Sequence, residues 1–307
     1  MAFNWTTFRT RALTAVIFVG VMLAGLFLHP WSFFLLFSII HFGCWWEYFK
    51  LTEKIHRTSF HIYTKLGMML AGFGLLLWFC GPVYHFGQYS LRDNLSMPVS
   101  AAGFILMIIG IFRGDAVNLK GYGMAGSGLL YISLSWGMMI GLAGFPGDFF
   151  YGTDLDFSFG YFSYAYVLIP AVLIASIWIN DTMAYIVGSL IGKTPLSKVS
   201  PKKTWEGTIG GIVLAVLVTG FLAGNLAPVN FHTPGWVYEI ASYHWYIIAG
   251  IAAISGTIGD LLESKLKRLA GVKDSGSLMP GHGGFLDRFD SLLLATPAVW
   301  CYVRLLM

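Results

Sequence analysis

The 307-residue chain predicts an all-α, polytopic helical membrane protein with about nine transmembrane helices and a cytoplasmic N-terminus. Three observations carry that prediction. Mean hydropathy is +0.69, and 11% of residues are charged against about 25% in soluble domains. Apolar runs recur at about 17 residues or more, long enough to cross a bilayer. The basic residues also segregate by side. If each span flips the chain, only Arg92 and Arg304 of the 19 Lys and Arg residues fall outside, leaving 17 within.

In chain order the spans are expected at 12–28, 31–49, 66–80, 97–112, 123–143, 165–191, 206–226, 244–263 and 290–306. The first has a basic lead-in, Arg9 and Arg11, as a signal peptide would, but no small-residue cleavage site. Only His29-Pro30 separates it from the next run, so it reads as a retained helix. The third and fourth spans are short. Outer loop 144–163 carries Asp148, Asp154 and Asp156, no basic residue and many aromatics, which suits interfacial anchoring. Loop 227–243 also lacks Lys and Arg. Two regions are expected: residues 1–122 with about four spans, and 123–307 as a catalytic region with cytoplasmic loops 192–205 and 264–289.

Several functions are disfavoured. Cys44, Cys80 and Cys301 are scattered through apolar spans without a CxxC. The eight histidines show no HxxxH or HExxH spacing that would suggest zinc. A net charge of +4 is explained by membrane orientation rather than nucleic-acid binding.

Two inner segments carry the polar chemistry. The first runs from Asn180-Asp181 through Lys193 to Ser200-Pro-Lys-Lys-Thr-Trp-Glu-Gly207. An aspartate inside an apolar helix faces a polar cavity or a helix–helix partner. Ser200 or Thr204 is a candidate cap for the following helix. Lys202 and Lys203 at a helix N-terminus oppose its dipole; a bound phosphate would resolve the conflict, and positive-inside anchoring is the plainer alternative. The second segment, 264–291, holds Lys265, Lys267, Arg268, Lys273 and Arg288, three aspartates and a glycine-rich loop. Just before it, Asp260, Glu263, Ser264 and Lys267 share one helix face. Downstream, Asp287 and Asp290 sit three apart. Carboxylates on separate elements suit Mg²⁺, which binds through one or two of them plus substrate phosphates. Glycines let backbone N–H groups approach a phosphate. No Walker-type GxxxxGK[ST] is present.

The stretch Ser264/Lys267-Arg268, Lys273-Asp274/Gly276, Pro280-Gly-His-Gly-Gly284, Asp287-Arg288/Asp290 resembles the signature of the phosphatidate cytidylyltransferases, or CDP-diacylglycerol synthases. Asn180-Asp181 and Ser200–Gly207 resemble the family's second motif region, so the likeness covers about residues 178–291. The resemblance implies that CTP and phosphatidate give CDP-diacylglycerol and pyrophosphate. It implies a Mg²⁺-dependent, multi-helix membrane enzyme working as a homodimer, while the distribution of basic residues puts the site on the cytoplasmic face of the inner membrane. A monovalent cation such as K⁺ beside the Mg²⁺ is compatible with it. Metal binding carries over to Asp260 and Asp287. The catalytic candidates are Asp260, Asp287, Lys273, His282 and Arg288. The substrate-binding candidates are Asn180, Asp181, Lys202, Lys203, Ser264, Lys267, Arg268, Gly283 and Gly284. His282 reads equally as a phosphate donor or proton carrier and as a loop-packing residue.

Two alternatives keep the same residues. A CTP-dependent lipid or prenol kinase would transfer the γ-phosphoryl group instead. An anion transporter would use Asp181 and the basic loops as a pathway, but such proteins commonly show repeated halves, and none is visible here.

Overall fold

The computed structural model describes residues 5–81, 83–114, 118–143, 167–226, 230–233, 236–276 and 283–307. Among the described residues it is all-α apart from two small antiparallel hairpins, His85–Phe86 with Tyr89–Ser90 (β1, β2) and Asn230–Thr233 with Trp236–Glu239 (β3, β4), and an isolated bridge between Pro195 and Thr204. The expected spans fall on helices in order. Among the described residues, six stretches are long and apolar enough to cross a membrane: Leu91–Arg113, Leu119–Leu142, Leu168–Ile191, Trp205–Asn225, Ser242–Leu269 and Leu286–Leu306. Leu13–Phe27 and Ile62–Trp78 are shorter apolar helices. The chain forms two compact units, Met1–Gly141 with Lys265–Phe289, and Leu142–Ser264 with Asp290–Met307.

The first unit begins with α1 (Trp5–Phe27) and α2 (Pro30–His56). The break between them is built by His29, whose Nδ1 accepts from Trp31 N–H while Ser32 Oγ accepts from His29 N–H. Pro30 occupies the first helical position, where a missing N–H costs nothing. Next come α3 (Ile62–Trp78) and α4 (Ser96–Arg113), the latter extended at its start by a π-helical turn, Leu91–Leu95. Gly67 and Gly74 on α3 and Gly103 and Gly110 on α4 lie seven residues apart on one face of each helix. A Cβ at Gly67 or Gly103 would collide with the backbone of the facing helix. Glycine here allows the close approach that packs helices in a membrane.

After α4 come α5 (Leu119–Gly128), a second π-helical turn over Leu129–Leu134, and α6 (Ser135–Leu142). The turn changes the helical phase and carries Ser133 inward. Its Oγ lies 2.8 Å from Trp45 Nε1, which donates to it, and 2.9 Å from His41 Nε2. Phe33, Phe37, Trp45, Trp136 and Ile132 are fully buried around this link.

The second unit contains α7 (Leu168–Ile191), α8 (Trp205–Leu226), most of α9 (Ser242–Leu269) and most of α10 (Leu286–Leu306). Gly207 and Gly211, one turn apart on α8, press on α7. A Cβ at Gly207 would meet the Ala184 carbonyl at 2.6 Å, and one at Gly211 the Asn180 carbonyl at 2.7 Å. A Cβ at Gly259 of α9 would lie 2.6 Å from the Asp290 carbonyl of α10. In these four helices, two ends run four or more residues past the expected spans. α9 runs on to Leu269, six residues past 263, where Gly271 at φ +68° closes it. α10 starts four residues early, which puts Asp287 in its first turn.

Candidate functional site

In the second unit the polar segment after α7 folds back as a tight loop. Thr194 and Trp205 are joined by a backbone hydrogen bond, as are Leu196 and Lys203. Thr204 is the cap: its Oγ1 accepts from Gly207 N–H at 3.2 Å. Glu206, in the first turn of α8, also ties down the preceding loop. Its carboxylate accepts from the backbone N–H groups of Lys193 and Thr194, which sets the loop's angle. The fold brings Lys203 against Asp260, and its ammonium donates to Asp260 Oδ2. Lys202 is exposed. Asn180 is buried; its amide donates to Thr257 Oγ1 at 3.3 Å, while its Oδ1 has no partner among the described residues. Asp181 is exposed on α7, and Ser264 is half-buried on α9.

In the first unit the C-terminal turn of α9 and the first turn of α10 hold Asp287. Its Oδ1 accepts from Lys267 Nζ at 2.7 Å. Its Oδ2 accepts from Ser275 N–H at 2.8 Å and Gly284 N–H at 2.9 Å, with Ser275 Oγ also 2.9 Å away. Gly283 adopts φ +81°, a conformation that favours glycine, and a Cβ there would crowd the same carboxylate. The N–H of Gly284 is therefore committed to Asp287. Arg268, Lys273 and Arg288 are exposed. His282 lies outside the described residues.

Sequence reasoning missed Glu47 on α2. It is 5% exposed, and its carboxylate accepts from Ser275 Oγ at 2.7 Å, Phe285 N–H at 3.0 Å and Leu286 N–H at 2.9 Å. The signal available was a lone carboxylate inside an aromatic, apolar run, the criterion already applied to Asp181. Ser275, which reaches both Glu47 and Asp287, was also overlooked.

The carboxylates present fit a hard divalent cation. No group of three or more His, Cys, Asp or Glu that could hold a metal occurs among the described residues. An ion at Asp260 or Asp287 would thus take much of its shell from phosphate and water, the usual habit of Mg²⁺.

The sequence profile of the cytidylyltransferase family matches residues 9–306. The chain belongs to that family. Among curated cytidylyltransferases it is 43% identical over 141 residues to the phosphatidate cytidylyltransferase of Synechocystis, covering 46% of this chain and 45% of that protein. The chloroplastic phosphatidate cytidylyltransferase 5 of Arabidopsis thaliana is 43% identical over 127 residues, 41% of this chain and 29% of that one. The Staphylococcus haemolyticus phosphatidate cytidylyltransferase is 39% identical over 161 residues, 52% and 55% of the two chains. The matches thus span about half, or less, of these cytidylyltransferases' lengths.

Proposed function

We propose that this protein transfers the cytidylyl group of CTP to phosphatidate, giving CDP-diacylglycerol and pyrophosphate. The observation that most supports this is the hold on Asp287, an acidic residue of the family signature kept in place by Lys267 and two backbone N–H groups. Such a carboxylate is pre-oriented before any ligand arrives.

The obstacle to reaction is the meeting of two polyanions. In this reading Lys202, Lys203, Lys273 and Arg288 offset the phosphate charge, and His282 contacts a phosphate. A phosphatidate oxygen, already anionic near neutral pH, attacks the α-phosphorus of CTP. The new P–O bond forms as the bond to the β-phosphate breaks, and pyrophosphate leaves with its electron pair. Mg²⁺, taken by Asp260 and Asp287, would supply charge neutralisation and phosphate alignment when bound. Asn180, Asp181, Ser264, Arg268, Gly283 and Gly284 complete the proposed substrate-binding set.

The same reading places the enzyme in the inner membrane with nine spans, its N-terminus and site cytoplasmic, and two copies together. Cysteine labelling from either side of vesicles tests the orientation, and native mass measurement tests the dimer. Potassium dependence of turnover tests the second cation. The deciding experiment incubates purified protein with phosphatidate, Mg²⁺ and CTP labelled at the α- or γ-phosphorus. Label from the α-position should enter the lipid and label from the γ-position should leave as pyrophosphate. Lipid labelled from the γ-position would make it a kinase.

A further inference from the structure

Glu47 is separated from Ser275 by 228 residues and from Leu286 by 239, yet its carboxylate meets both. A fully buried glutamate is rare unless its oxygens are well supplied with donors. Here the donors all come from the signature segment: one hydroxyl and the backbone N–H groups of Phe285 and Leu286 at the start of α10. An anion there also complements the dipole of α10.

The glycines of the signature are shaped around this side chain. A Cβ at Gly276 or at Gly284 would overlap the Glu47 carboxylate. One turn before Glu47 on α2, a Cβ at Gly43 would overlap the Phe285 ring. Gly43 and Glu47 therefore form one receiving face, a gap for the ring and an acceptor for the backbone that carries it. At Gly276 and Gly284, lack of a side chain answers to a protein carboxylate, whatever else the loop binds.

Ser275 links Glu47 to Asp287. Its Oγ lies within reach of Glu47 Oε2 and Asp287 Oδ2, but a hydroxyl has one hydrogen and serves one carboxylate at a time. With Glu47 as the hydroxyl's acceptor, Ser275 N–H still holds Asp287.

We propose that Glu47 is a positioning residue for the cytidylyl-transfer site: it fixes Ser275 and the first turn of α10, and thereby sets where the Asp287 carboxylate stands. Glu47 acts through Ser275 and the α10 backbone rather than on substrate. The catalytic part of this inference rests on the function proposed above; the positioning part does not.

The test compares parent, Glu47→Gln and Ser275→Ala proteins, full length in nanodiscs. Without substrates, backbone amide exchange over residues 283–289 should quicken about tenfold in Glu47→Gln, because Gln turns an N–H₂ toward groups that need an acceptor. With substrates, half-maximal turnover should need about ten- to a hundredfold more Mg²⁺, the usual effect of losing a residue behind a metal ligand. KM for CTP should stay within about threefold, a split that a general loss of folding would not give. Ser275→Ala keeps Glu47 and cuts the link, so it should raise the Mg²⁺ requirement even if Glu47→Gln does not accumulate. Unchanged exchange in Glu47→Gln, or an unchanged Mg²⁺ requirement in a folded Ser275→Ala protein, overturns the proposal. A parent protein that makes no CDP-diacylglycerol overturns the function reading instead, and the exchange arm still decides the role of Glu47.

Discussion

Replacing Asp287 by Asn separates holding the loop from serving the chemistry. The Lys267–Asp287 pair is 2.7 Å long, with side-chain exposures of 14% and 8%. Asn keeps the shape but has a single oxygen. That oxygen would take the Oδ2 place, where Ser275 N–H and Gly284 N–H both donate. The new N–H₂ would then face the Lys267 ammonium, donor against donor. Stranding one member of a buried pair costs about 3–5 kcal/mol. A lysine can extend partly toward water, so about 2–3 kcal/mol is expected here. Adding Lys267→Met removes the ammonium that opposes the new N–H₂ and should return about 1–2 kcal/mol. Turnover should behave differently, falling at least about a thousandfold in Asp287→Asn, or about 4 kcal/mol in the barrier, with no recovery in the double variant. Ligand-free thermal unfolding in nanodiscs measures stability, and pyrophosphate release at saturating CTP and Mg²⁺ measures turnover. If the double variant regained turnover together with stability, Asp287 would be a structural anchor and its assignment to the metal would fall.

Asp260→Asn should lower turnover at least about a hundredfold in a folded protein, and near-parental turnover would remove it from the metal site. Lys203→Met takes away the ammonium on Asp260 and should raise KM for CTP about tenfold, or 1.4 kcal/mol; an unchanged KM would exclude Lys203 from nucleotide binding. Ser133→Ala leaves the Trp45 indole N–H and the His41 ring without their shared partner. It should cost about 1–3 kcal/mol and lower the unfolding midpoint by several degrees while turnover per folded molecule holds; an unchanged midpoint refutes the network. Chelation should abolish turnover and added Mg²⁺ should restore it, so activity that survives EDTA would rule out the metal.

The helices were legible because hydropathy and charge asymmetry are properties of contiguous sequence. The cap was legible as Ser200 or Thr204, because caps depend on residues three positions apart, and the structure puts it at Thr204. The π-helical turns at Leu91–Leu95 and Leu129–Leu134 have no comparable local cue, so the inward aim of Ser133 could not be foreseen. Asp260 and Asp287 stood out as acids beside basic, glycine-rich segments. Their lysine partners did not: the 57-residue separation of Lys203 and Asp260 is set by how α8 and α9 pack. Gly284 is expected to approach phosphate; its Cα also faces a glutamate that no local pattern connects to it. Glu47 stands as a lone carboxylate in an apolar run, and nothing local names its partners, because they lie more than two hundred residues away.

That separation has a consequence for biosynthesis. Chains emerge at about 5–20 residues per second, so α2 is made roughly 11–46 seconds before Ser275. Through that interval Glu47 has none of its mature partners. A carboxylate on an apolar helix costs a few kcal/mol while it waits, which favours keeping α2 near the interface or beside other polar groups during insertion. Arrival of the signature segment removes that cost, so completion of the C-terminal region and secure seating of an early helix become a single event in the membrane.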